Sequence, residues 1–156
     1  KKAARAPFRS FQLYYGKERQ FMPEDEIQIA KQWAAKADND LLDADNNLKS
    51  EKIPYDTVCF HCQQAAEKIL KAYLIANQKP HPITHDLLLI LEQILSLNPE
   101  AERLRDTLVI LTPYAVEIRY PDDYFMPTDQ DTAEARKAAA EVYQWLKSTC
   151  PAIFSE

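Results

Sequence analysis

From residue 24 to residue 50 the apolar positions Ile27, Ala30, Ala34, Ala37, Leu41, Ala44 and Leu48 recur at steps of three and four, the period of one face of an α-helix. A first helix is therefore predicted from about Pro23 to Ser50. Pro23 suits the first turn, where its missing N–H costs nothing, and Glu24, Asp25 and Glu26 follow at the positive end of the helix dipole. After Ile53 and Pro54 a second helix is expected over about Asp56 to Asn77, with Cys59, Cys62, Ala66, Ile69 and Tyr73 on one face and Ala65, Ala72 and Ala76 widening it. This helix reads as the most buried. The connector KPHPIT then leads to Thr84, read as the cap of a short apolar helix, Asp86 to Leu97, which Asn98 and Pro99 end. A fourth helix is expected over about Glu100 to Tyr120, with Leu104, Leu108, Leu111, Ala115 and Ile118 in register, bent or broken at Pro113 and stopped by Pro121. The last runs from a cap at Thr128 or Asp129 through Ala135, Ala139, Val142 and Leu146 to about Ser148, with Pro151 closing it.

Short connectors between long amphipathic helices imply antiparallel neighbours, so the expected fold is all-α, an up-and-down four-helix bundle with a short additional helix. The bundle is assigned to residues 24–150. Residues 1–23, which mix Arg5, Arg9, Lys17 and Arg19 with Phe8, Phe11, Tyr14, Tyr15 and Phe21 without a clean period, read as a lead segment, and residues 151–156 as a C-terminal tail. The single glycine, Gly16, argues against an all-β fold, whose hairpins and corners call for glycines at positive φ. A chain of 156 residues buries enough surface to fold without disulfides or a structural metal.

Charge and cysteines narrow the function classes. A formal charge of −5 gives no global field toward DNA or anionic lipid, so any RNA contact has to be local. Cys59, Cys62 and Cys150 are odd in number, and the basic start at Lys1, Lys2 and Arg5 runs into Pro7, Phe8 and Arg9, unlike a secretory signal. A cytoplasmic protein with free thiols is expected. The apolar run at Leu87 to Leu91 stops at Glu92, far short of a bilayer span.

Three constellations carry candidate chemistry. Cys59, Cys62, His81 and His85 spell a zinc-like pattern, but both cysteines lie in a stretch of helical period with no turn to form a knuckle, so they read as small core residues and no metal is expected. On the opposite side of the second helix His61, Gln64, Lys68 and Lys71 fall at i, i+3, i+7 and i+10. This stripe reads either as solvated surface, with Glu67 and Lys71 as a weak i,i+4 pair, or, given Phe60 and Tyr73 nearby, as a surface meeting a protein or a nucleotide. The third lies at the end of the fourth helix, where Glu117, Arg119, Tyr120, Asp122, Asp123 and Tyr124 follow one another. Arg119 either neutralises terminal carbonyls or forms a planar fork for phosphate, with Tyr120 or Tyr124 as a stacking platform. Asp122 and Asp123 read as turn formers. His85, between Thr84 and Asp86, is placed in the first turn of the short helix, where adjacent residues point about 100° apart and Asp86 cannot orient it.

Four separated blocks resemble one known family. They are YDTVCFHCQQAAEKILKAYL from Tyr55 to Leu74, THDL from Thr84 to Leu87, IRYPDDY from Ile118 to Tyr124, and the spacing of Trp33, Ala37, Asp40 and Leu41. Together they are similar to the HEPN domain, the higher eukaryotes and prokaryotes nucleotide-binding domain, over about residues 26 to 148 in order. The resemblance implies a four-helix bundle with a short extra helix, a homodimer, and a minimal nucleotidyltransferase as partner in a toxin–antitoxin-like pair. In catalytic members it implies a metal-independent ribonuclease whose motif is an Arg, four to six intervening residues and then a His, the His acting as general acid or base and the Arg stabilising the phosphorane-like charge. Arg119 fits the Arg position, but the His window holds Tyr124, Phe125 and Met126, none of which shuttles protons near neutral pH.

The expectation is a HEPN-like protein that binds nucleotide or RNA beside a nucleotidyltransferase. Arg119 would contact phosphate, Tyr120 or Tyr124 would stack, and Gln64, Lys68 and His61 would line the adjoining face. No cofactor is called for, and neither membrane nor DNA is expected as a partner. Two alternatives stand beside it: a ribonuclease toxin using Arg119 and a relocated His61 or His85, and a ligand-free dimeric scaffold with the stripe as its interface.

Overall fold

The computed structural model describes residues 23–115 and 125–156. Helix α1 spans Pro23–Leu48 and opens on three acidic residues in its first turn. It turns a seam of small side chains, Ala30, Ala34, Ala37 and Ala44, toward α2, Tyr55–Ala76, which answers with its own alanines Ala65 and Ala72. Small residues at a contact let two helix axes approach closely. The helices run antiparallel, since Trp33 of α1 lies by Lys71 of α2 and Asp40 by His61.

α2 is the centre of the molecule. It packs against α1, against α3 (Leu87–Leu95), against α4 (Arg105–Leu111) and against α5 (Asp129–Thr149), and so is buried nearly all round. Cys59 meets Thr132 and Tyr73 meets Trp145, so α5 runs parallel to α2, while Asp45 meets Arg136, so α5 runs antiparallel to α1. Thr107 of α4 bonds Glu141 of α5. The result is the expected all-α up-and-down bundle with α3 as the short additional helix, and among the described residues there is no strand. Ile69, Leu70, Leu74, Ile90, Leu108 and Leu146 fill its core. Pro151–Phe154 forms a final 3₁₀ turn that lays Ile153 against the bundle.

The ends of the helices show where local chemistry decided the outcome. α5 starts at Thr128, whose hydroxyl accepts the Asp131 N–H at 3.1 Å while the Asp131 carboxylate accepts the Thr128 N–H at 2.8 Å, a reciprocal capping box. α3 is capped by Asp86 and not by Thr84: the Asp86 carboxylate accepts from Leu88 and Leu89 at 3.0 and 3.3 Å, and the Thr84 hydroxyl accepts the N–H of Asp86 itself. A carboxylate gains more than a hydroxyl at the positive end of a helix, which moves the start downstream and leaves His85 outside the helix. The continuous fourth helix expected from Glu100 is divided as well. Pro99–Leu104 and Thr112–Tyr114 are 3₁₀ turns flanking α4, and the second begins where Pro113 has no N–H to return to the carbonyl of Val109.

At the end of α2 the N–H of Lys79 bonds the Leu74 carbonyl at 2.9 Å and that of Gln78 bonds the Ile75 carbonyl at 3.0 Å. This Schellman pattern needs a left-handed residue, customarily glycine, and here Gln78 supplies it at φ 59°. Gln78→Gly is expected to stabilise the fold by about 0.5–1 kcal/mol, the steric cost of the left-handed conformation less glycine's extra chain entropy. An upward shift of the urea midpoint checks this, and an unchanged or lower midpoint contradicts it.

Candidate functional site

The stripe on α2 is not a solvated face. Because α2 sits at the centre, its polar side is covered by α1 and by the connector that leads to α3, and the stripe is organised around two carboxylates. Asp40, set into the alanine seam of α1, takes the His61 Nδ1 at 3.0 Å on one oxygen and the Lys68 ammonium on the other. Glu67, on α2 itself, takes Lys71 at 2.8 Å on Oε1 and the His85 Nδ1 at 3.0 Å on Oε2. Each carboxylate thus holds one lysine and one histidine.

The second cluster is the more buried. The side chains of Glu67 and Lys71 are 6% and 7% exposed, so this is not the weak surface pair that i,i+4 spacing suggests. The Lys71 ammonium also stands 5.9 Å from the centre of the Trp33 ring, within cation–π reach. Gln63, fully buried, donates to Glu67 at 3.3 Å and to the backbone carbonyl of His85 at 3.2 Å, and its own oxygen accepts from Gln64 at 2.7 Å. His85 is therefore held twice by α2, once by its ring and once by its backbone, yet its side chain is 72% exposed. The orienting carboxylate that Asp86 could not provide is Glu67, eighteen residues away in sequence.

Electrostatics follow from this packing. Desolvation pushes the Glu67 carboxyl upward, but the hydrogen bonds from Lys71 and His85 outweigh it and hold the group below the usual carboxylate range. With Glu67 ionised, the His85 Nδ1 must carry the proton that it donates, which leaves Nε2 as the free nitrogen of an exposed ring. His81 behaves differently. Half-buried with its ring edge-on to Trp33 at 4.9 Å, it is held below the ordinary histidine range by burial and by the charge of Lys71.

The remaining candidates separate from this site. Cys59 and Cys62 are fully buried within α2, and burial pushes the Cys62 thiol up to about 12. Such thiols stay protonated and turn inward as core residues. Among the described residues no three His, Cys, Asp or Glu side chains come together as a metal site, and no helix is long and apolar enough to cross a membrane. The structure brings His61, Gln64, Lys68 and His85 onto one polar strip; Arg119, Tyr120 and Tyr124 lie outside the described residues. Sequence reasoning gave no role to Gln63 and read Glu67 as a surface partner, while Asp40 entered only through the resemblance. For Asp40 a signal existed: it lies three residues after Ala37 and four before Ala44, an acid in register with a buried seam.

Compared with known proteins, the chain matches the family model of the HEPN domain over residues 30–149. No curated protein and no solved structure matches it.

Proposed function

Because the chain belongs to the HEPN domain family, a nucleotide- or RNA-related helical domain, we propose that it binds nucleotide or RNA as a homodimer and acts with a minimal nucleotidyltransferase partner in a toxin–antitoxin-like pair. The observation that supports this best is the direction of charge on the strip. Both carboxylates are turned inward and saturated by lysine and histidine, while the more exposed groups, His61, Lys68 and His85, are all nitrogen donors or potential donors. A surface of this polarity favours an anion over a cation. In this reading Arg119 provides the phosphate fork and Tyr120 or Tyr124 the stacking platform.

Titration with adenosine 5′-monophosphate and with a short oligoribonucleotide tests the reading. The parent is expected to bind, and Arg119→Ala to weaken binding about tenfold, the worth of one charge-assisted contact. Absence of binding, or an unchanged affinity in Arg119→Ala, would remove the site.

A further inference from the structure

The Glu67 cluster is larger than packing alone calls for. Burying a lysine, a glutamate and a glutamine costs more than burying apolar side chains of the same volume. Here all three converge on one residue: Glu67 fixes the His85 ring, Gln63 fixes its backbone, and Lys71 completes Glu67. Rigid support of this kind behind an exposed imidazole is the construction of a binding or proton-transfer group.

Charge selects between the kinds of ligand. Lys71 already neutralises Glu67, so a proton taken up by His85 is not consumed in balancing the buried carboxylate. It adds an uncompensated positive charge on a ring that is largely open to solvent. An anion satisfies that charge; a cation finds neither oxygen of Glu67 available, since both are engaged. The Asp40 cluster repeats the composition, but its His61 ring is only 21% exposed. His81 is half-buried against Trp33.

We propose that Nε2 of His85, once it takes up a proton, donates to a phosphate-ester oxyanion, with Glu67 and Gln63 as the residues that position the ring. The proposal rests on the nucleotide reading above and assigns a phosphate contact within it. His85→Asn provides the test, because the asparagine amide nitrogen falls where Nδ1 stands and keeps a donor for Glu67, while nothing replaces Nε2.

With Arg119 and His85 each giving one hydrogen bond to a charged group, the parent should bind adenosine 5′-monophosphate about a hundredfold more tightly than adenosine. In His85→Asn that preference should fall about tenfold, to the share that Arg119 supplies, while affinity for adenosine and the melting temperature stay unchanged. On the parent itself, the monophosphate should shift the Nε2 nitrogen resonance of His85 and adenosine should not, a readout that needs no variant. A parallel loss of affinity for a ten-nucleotide RNA in His85→Asn would assign the site to the RNA backbone, and a loss confined to the monophosphate would assign it to the mononucleotide. A preference for the monophosphate that is undiminished in His85→Asn, or a silent Nε2 resonance, overturns the proposal while leaving nucleotide binding intact. A parent that binds neither the nucleotide nor the RNA overturns both.

Discussion

Glu67→Ala is expected to destabilise the fold by about 3–5 kcal/mol, the usual cost of removing one partner of a buried ion pair. The alanine would leave the Lys71 ammonium, 7% exposed, without an anion, would take one acceptor from the fully buried Gln63 amide, and would take the Glu67 acceptor from the His85 ring. Urea denaturation at pH 7 measures it. A loss below about 1 kcal/mol would show that the pair behaves as a surface pair. Replacing Glu67 and Lys71 together by leucine should recover much of the loss, because no charge is then left alone in the interior. The same pair imposes an acid limit. Glu67 titrates lower in the folded chain than in the unfolded one, so its contribution is complete above the unfolded value near 4.3 and is lost as pH falls through the folded value. Between pH 5 and pH 3 the stability of the parent should therefore fall more steeply than that of Glu67→Gln.

Trp145→Ala should be of similar size, about 3–5 kcal/mol, through a different mechanism. Trp145 of α5 is 3% exposed and meets Tyr73 of α2 with ring centres 4.8 Å apart and planes tilted by 49°. Truncation removes the aromatic contact and opens a cavity where α5 lies along α2, a contact on which both helices depend. For a domain of this size the loss corresponds to a fall in melting temperature of roughly 6–20 °C. A variant melting within a degree or two of the parent would mean that the neighbouring helices close the cavity. With total stabilities of about 5–15 kcal/mol for globular domains, either substitution removes a large share.

The bundle was legible because its information is periodic and its punctuation local. Pro23, Pro54, Asn98, Thr128 and Pro151 mark ends that lie within a residue or two of the observed ones. Misreadings arose where two local signals competed. Thr84 and Asp86 both qualify as caps, and the carboxylate prevails; Pro113 signals a break, but not that 3₁₀ turns would flank α4 on both sides. The site was legible by halves. A stripe of His61, Gln64 and Lys68 follows from helical spacing alone, whereas its partners Asp40 and His85 come from other elements, and no spacing rule relates them. Periodicity also assigns one buried face to a helix, so it cannot recognise a helix such as α2 that is buried nearly all round.

With Ala30, Ala34, Ala37 and Ala44 setting how near α1 lies to α2, the short side chain of Asp40 reaches His61 and Lys68 because of residues that carry no charge. Enlarging a seam residue moves the helices apart, and the first casualty is a hydrogen bond rather than an apolar contact. Among descendants of this sequence, a bulkier seam side chain and a glutamate in place of Asp40 would have to arise together, the added methylene restoring the span that the wider gap had taken away.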